Sequence, residues 1–159
     1  MKKPTLGLGM IVKNEEKEIR RALMSVAEHV DAIFLTDTGS TDKTIEEAQS
    51  VAKLFNTPIY ISHFDWVDDF AKARNFNMEQ VTTDWFVWMD ADDTIENAEY
   101  LRSFVYQAHG RSITGLNFDY RYQVDLKTDE DILNHPKLRM VNKRFYEWAN
   151  DHASVHENL

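Results

Sequence analysis

Short apolar runs alternate with amphipathic stretches along the first two thirds of the chain. LGLGMIV (Leu6–Val12) is apolar throughout and KNEEKEIRR follows at once, which predicts a buried strand entering a helix. Asn14 is the expected N-cap, with Glu15 and Glu16 in a first turn where the helix dipole favours negative charge. Ile19, Ala22, Leu23 and Val26 then recur at helical spacing. AIFLTD (Ala32–Asp37) predicts a second strand closed by the turn TGSTD. Ser40 or Thr41 is the expected cap of a second helix, whose Ile45, Ala48, Ala52 and Phe55 form one apolar stripe. PIYISH (58–63) predicts a third strand, and DDFAKARNFNMEQV a third helix with Asp68 or Asp69 near its start. WFVWMD (85–90) predicts a fourth strand, with Trp85 and Trp88 in the core. A helix from Asn97 is expected to turn Leu101, Phe104, Val105 and Ala108 inward.

Strands that alternate with helices imply parallel pairing, because each crossover must return the chain to the same edge of the sheet. The expected fold class is therefore α/β, a mostly parallel central sheet with helices on both faces. Beyond Gly110 the pattern changes. SITGLNFDYRYQVD (112–125) is aromatic and β-prone, DLKTDEDILNHPK is polar, and KLRMVNKRFYEW reads as another strand pair or a turn-linked segment.

Composition narrows the class. The chain has 159 residues, 43% hydrophobic, with five Gly and three Pro, which suits one globular domain and neither disorder nor a fibrous repeat. A formal charge of −9 opposes direct binding to nucleic acid or anionic membranes. The absence of cysteine removes disulfides, thiolate nucleophiles and Cys-ligated zinc, and fits a reducing compartment. MKKPTLGLGMIVKNEE meets charge before its apolar run reaches the length of a signal or a membrane span, so a soluble cytoplasmic protein is the default expectation.

In an open parallel sheet, ligands bind beyond the carboxyl ends of the strands. Those ends carry Lys13, Asn14 and Glu15, then residues 37–42, 65–69 and 90–93, four loops expected to share one rim. Residues two apart in an extended segment project to one side, so Asp90 and Asp92 are expected to aim together. Their repulsion would be relieved by Mg²⁺ or Mn²⁺, which prefer carboxylate oxygens and leave positions for water and phosphate. The plain alternative is a helix cap or a decorated turn. Asp37 closes a strand where a carboxylate needs a partner, whereas a glycine turn with a cap accounts for residues 39–42. Arg74 could clamp a phosphate or form a surface ion pair with Asp68, Asp69 or Glu79. His63 reads as an ordinary polar residue at a strand end. LGLGM is not G-x-G-x-x-G, and neither a P-loop, a G-x-S-x-G elbow nor a zinc-spaced His pair is present.

Taken together, MIVKNEE (10–16), VDAIFLTDTGSTDKT (30–44), DWVDDFAKARN (65–75) and DWFVWMDADD (84–93) resemble the family-two glycosyltransferases of GT-A fold, in the family's order and across roughly the first hundred residues. Within that family the chain looks most like the bacterial and phage SunS-like subgroup. The resemblance implies one GT-A-like domain over 1–159, with a nucleotide-sugar-binding half (1–109) and a short or truncated acceptor half (110–159). It implies a nucleotide-sugar donor, UDP-linked, held by Val12, Asn14, Glu15, Asp37, Arg74, Asp90 and Ala91. Asp92 would ligate Mn²⁺ or Mg²⁺, with His156 as a further metal ligand and Glu157 as catalytic base for transfer with inversion. Asp93 would extend the acidic cluster. Thr38 is a departure, since many members carry a second acid there. Two other readings stand beside it: a non-catalytic or truncated sugar-nucleotide-binding module, motivated by the short second half, and a nucleotidyltransferase, for which KNEE is a poor substitute for a Gly-rich basic loop.

Overall fold

A computed structural model describes residues 2–124, 128 and 131–145. Its elements are β1 (Leu6–Val12), α1 (Ile19–Met24), β2 (Ala32–Asp37), α2 (Thr44–Phe55), β3 (Ile59–His63), α3 (Phe70–Gln80), β4 (Trp85–Trp88), α4 (Leu101–Ala108), β5 (Gly115–Val124) and β6 (Asp131–Asn142). They form one six-stranded sheet in the order β3-β2-β1-β4-β6-β5. The first four strands pair in parallel, as the alternating pattern requires, while β6 runs antiparallel to both β4 and β5.

The two faces of β1 carry different chemistry. Leu6, Leu8, Met10 and Val12 point into the larger core, where Ile33, Leu35, Trp85 and Val87 meet apolar residues of α1, α2 and α4. The opposite face presents Gly7 and Gly9 toward the layer containing Phe34, Phe86, Trp88 and Val141, covered by Ala71 and Met78 of α3. A Cβ on Gly9 would collide with the Phe86 ring and lie 2.5 Å from the Asn77 side-chain oxygen. Glycine here makes room for aromatic rings from the neighbouring strand. Asn77 is itself buried, and its amide nitrogen donates to the Phe34 carbonyl at 2.8 Å and the Thr36 hydroxyl at 2.9 Å, which pins α3 to the sheet.

Several local expectations change. Helix α1 starts at Ile19, because Asn14 adopts a left-handed backbone (φ 57°) and its side chain bonds across to the next loop instead of capping its own helix. Glu15 and Glu16 therefore precede the helix. The N-terminus of α2 is served by Asp42, whose carboxylate accepts from the Thr44 N–H at 3.0 Å, while Ser40 and Thr41 are engaged with Asn14. Asp69 does cap α3, accepting from the Lys72 N–H at 3.0 Å. Phe104, expected inward, is 45% exposed, whereas Leu101, Val105 and Ala108 are buried. The polar stretch after residue 125 was not expected to contain a strand, yet β6 begins at Asp131 and pairs along β5 as an antiparallel hairpin.

Candidate functional site

Three parallel strands end level with one another: Val12 pairs with Asp37, and Asp37 with His63. The loops leaving β1 and β2 are laced together at this rim. Ser40 Oγ accepts from the Asn14 N–H at 3.0 Å, Asn14 Oδ1 from the Thr41 N–H at 2.8 Å, and Thr44 Oγ1 from the Glu15 N–H at 2.7 Å. Glu16 and Lys43 close the lacing, with the Lys43 N–H donating to the Glu16 carboxylate at 3.1 Å. Val12 is buried and its carbonyl accepts from both the N–H and the hydroxyl of Thr38, which braces the β1 end.

Asp37 accepts from the N–H groups of Gly39 at 3.2 Å and Ser40 at 3.0 Å, in a turn that Gly39 completes with φ 105°. The His63 ring lies 3.5 Å from the same carboxylate and 3.3 Å from Asp65. Desolvation opposes ionisation of Asp37, but the bonds from Ser40, Gly39 and His63 prevail and hold its carboxyl below the usual value.

The loop after β4 is a turn, closed by the Asp93 N–H donating to the Asp90 carbonyl at 3.1 Å. The strand stops at Trp88, so the alternation expected to align Asp90 with Asp92 does not apply. The acids that share a counter-ion are instead Asp90 and Asp93. Arg74 of α3 meets Asp90 Oδ1 at 2.9 Å, in place of a surface pair with Asp68, Asp69 or Glu79, and Arg139 of β6 approaches Asp90 Oδ2 at 3.5 Å and Asp93 Oδ2 at 3.6 Å. The Tyr120 hydroxyl donates to Asp93 Oδ1 at 2.6 Å. Burial alone would raise the Asp90 carboxyl, but Arg74 and Arg139 outweigh it and hold the group below its ordinary value. For Asp93 burial wins despite Tyr120 and Arg139, and its carboxyl is raised.

Asp92 differs from both neighbours. It is exposed, and among the described residues its carboxylate accepts no hydrogen bond. Its backbone carbonyl accepts from Arg21 at 2.6 Å, which fixes the loop from below. Glu15 across the rim is raised first by burial and then by the Asp92 charge, with Glu18 and Asp42 adding to it, so negative potential accumulates around this part of the rim. Ala91 is buried in the main core and anchors the turn. Among the described residues no three His, Asp or Glu side chains converge as a metal cage. The donor set still suits Mg²⁺ or Mn²⁺ held by one carboxylate, because Asp92 is a free hard oxygen donor and such ions keep most positions for water and phosphate. Asp90 and Asp93 are committed to arginine. His156 and Glu157 lie outside the described residues.

Residues 8–155 match the profile of the Glycosyl transferase family 2. The chain belongs to this family. The SPbeta prophage-derived glycosyltransferase SunS of Bacillus subtilis (strain 168) is 36% identical over 90 residues, which is 57% of this chain and 20% of that protein. The chain thus spans about a fifth of the length of the first curated relatives it matches. The same fold is seen in the mannosyltransferase PcManGT of Pyrobaculum calidifontis, solved with GDP-Man and Mn²⁺, at a TM-score of 0.71, 15% identity, and coverage of 95% of this chain and 49% of that one. TarS 1-349 of S. aureus, solved with UDP-GlcNAc, superimposes at 0.55 with 26% identity, covering 66% of this chain and 32% of that one. Among the described residues no helix is long and apolar enough to cross a membrane.

Two site residues, Arg139 and Tyr120, escaped the sequence reading of this family 2 chain. The signal was an arginine inside the apolar run LRMV: a strand that buries Met140 and Val141 carries Arg139 at 8% exposure, and a buried guanidinium requires carboxylate partners.

Proposed function

We propose that the chain is the donor-binding part of a metal-dependent glycosyltransferase that moves a sugar from a UDP-linked donor to an acceptor, with inversion. One observation carries the reading: at the carboxyl ends of the parallel strands, an unengaged, exposed Asp92 carboxylate stands two residues beyond an Asp90 already paired to Arg74. A diphosphate needs a cation on one side and an oxygen-ligated metal on the other, and Arg74 of α3 with Asp92 of this loop offers both. TarS with UDP-GlcNAc and PcManGT with GDP-Man and Mn²⁺ support the same assignment by fold.

In this reading the braced rim around Val12, Asn14, Glu15 and Asp37 receives the nucleobase, Arg74 the diphosphate, and Asp90 the ribose side, with Ala91 holding the turn from the core. Asp92 would hold Mn²⁺ or Mg²⁺, with His156 as a further ligand, and a metal held there would supply positive charge to the departing diphosphate. Arg74 adds charge-assisted hydrogen bonds to the same group, and the rigid loop keeps those donors in place before the charge develops. Glu157 serves as the base that takes the acceptor proton from the opposite face.

Calorimetric titration with UDP, UDP-glucose, UDP-N-acetylglucosamine and GDP-mannose, each with Mn²⁺ and with chelator, tests the reading. Metal-dependent binding of a UDP-linked donor that disappears in Asp92→Ala is expected. No nucleotide binding with any metal would overturn it, and binding without turnover in the presence of candidate acceptors would favour the binding module.

A further inference from the structure

Asp90 has two cations on its two oxygens, and they are held differently. Arg74 contacts Oδ1 at 2.9 Å from α3, the helix that follows the loop leaving β3. Arg139 faces Oδ2 from inside the sheet, at 3.5 Å from both terminal nitrogens. It is only 8% exposed, with its guanidinium carbon 4.7 Å from the centre of the Tyr120 ring and 5.9 Å from that of Trp88. Asp93 holds it from a third side at 3.6 Å, and Tyr120 in turn anchors Asp93. An arginine enclosed by two rings and two carboxylates cannot follow a ligand out of its seat.

We propose that Arg139 is a positioning residue for the donor site, resting on the donor-binding reading above: it keeps Asp90 paired and in place when a diphosphate recruits Arg74. A diphosphate carries more charge than a carboxylate and competes for the same guanidinium fork. If Asp90 had only Arg74, engaging the phosphate would strand a half-buried carboxylate, and the cost of that unpaired charge would be taken out of ligand affinity. The second cation on the far oxygen removes this cost. The hairpin of the second half thereby stiffens the donor site of the first half without itself touching the ligand.

The test compares UDP with uridine, which presents the same nucleoside without the diphosphate, by calorimetry and by NMR titration with Mn²⁺ present. In Arg139→Met, which keeps an apolar stem but no charge, UDP affinity is expected to fall about tenfold while uridine affinity stays within about twofold. Arg139→Lys should recover most of the UDP affinity. In an Arg74→Met background the further change Arg139→Met should alter UDP affinity by less than about twofold, because the diphosphate then no longer competes for Asp90. Equal losses for UDP and uridine would reduce Arg139 to a structural role and overturn the proposal, as would unchanged UDP binding in Arg139→Met or a lysine variant no better than methionine. Failure of the unmodified chain to bind either ligand would instead bring down the donor-site reading itself.

Discussion

Arg74 and Asp90 meet at 2.9 Å across sixteen residues of sequence, joining the helix α3 to the loop that leaves β4. The pair is a structural tie as well as part of the site. Asp90→Asn takes away the charge that Arg74 and Arg139, with side chains 12% and 9% exposed, share, and leaves Arg139 only its longer contact with Asp93 at 3.6 Å. The expected loss is about 2 kcal/mol, less than the ~3–5 kcal/mol for a fully buried pair because Asp90 keeps contact with water. Arg74→Met should cost less, since Arg139 still neutralises Asp90. Urea denaturation midpoints should fall in the order unmodified chain, Arg74→Met, Asp90→Asn, and three equal midpoints would show that the network contributes nothing to stability.

The close approach of Gly9 to Phe86 predicts a second stability effect with a different cause. Gly9→Ala forces a methyl group into the buried Phe86 ring and the buried, hydrogen-bonded Asn77 amide of α3. A loss of about 3 kcal/mol or more is expected, measurable by thermal or urea unfolding. Gly39→Ala meets no atom within 4 Å and suffers only from its φ of 105°, so its cost should be nearer about 1 kcal/mol. If the two substitutions cost the same, the steric reading of β1 is mistaken.

The same glycines show why much of the fold was legible. β1 and β2 are continuous apolar runs because both faces are covered, and the stripe of α2 matches one of those faces. The carboxyl-end rim followed from strand order alone. The hairpin was legible in part: β5 lies within the β-prone run 112–125 and the end of β6 within KLRMVN. The first half of β6 was not, because Asp131, Asn134 and His135 lie where the strand pairs with β5 and not with the buried centre of the sheet, so neither alternation nor an apolar run marks it. In the site, the position of Asp37 at the end of β2 could be read from the sequence, but neither the Asp90 partner of Arg74 nor the direction of each acid after Trp88 could, because both depend on the turn that follows β4. Arg139 was hidden for a related reason. Its partners lie 49 and 46 positions away in the chain, and a single sequence carries no sign of which distant charges meet.

Asp92 should separate stability from ligand binding. Its carboxylate is exposed, has no hydrogen-bond partner among the described residues and adds to the charge that burdens Glu15. Asp92→Asn should therefore leave the unfolding midpoint unchanged or slightly higher, within about 0.5 kcal/mol. The same substitution should remove the gain in UDP affinity produced by Mn²⁺, a loss of at least about tenfold. Parallel urea unfolding and calorimetry on one preparation would check both halves. A destabilised variant would mean that Asp92 has a structural partner, and retained metal dependence would move the metal elsewhere.

Acid sensitivity should depend in part on Asp84, at the opposite end of the sheet from the site. Its Oδ2 accepts from the Thr5 N–H at 2.8 Å and the Thr5 hydroxyl at 2.9 Å, tying the segment before β1 to the segment before β4. The Thr5 backbone bond, with smaller help from the Thr5 hydroxyl and from nearby positive charge, outweighs burial and holds this carboxyl below its ordinary value. A carboxylate with a depressed folded-state pKa adds stability above its unfolded value of about 3.9 and loses it as pH falls through the folded value. Asp84→Asn removes that contribution at neutral pH while leaving less to lose in acid. The difference in urea midpoint between the unmodified chain and Asp84→Asn should be largest from pH 5 to 7 and shrink below pH about 4. A difference that stays constant down to pH about 2.5 would show that the Thr5 bonds do not discriminate between the ionised and protonated carboxyl.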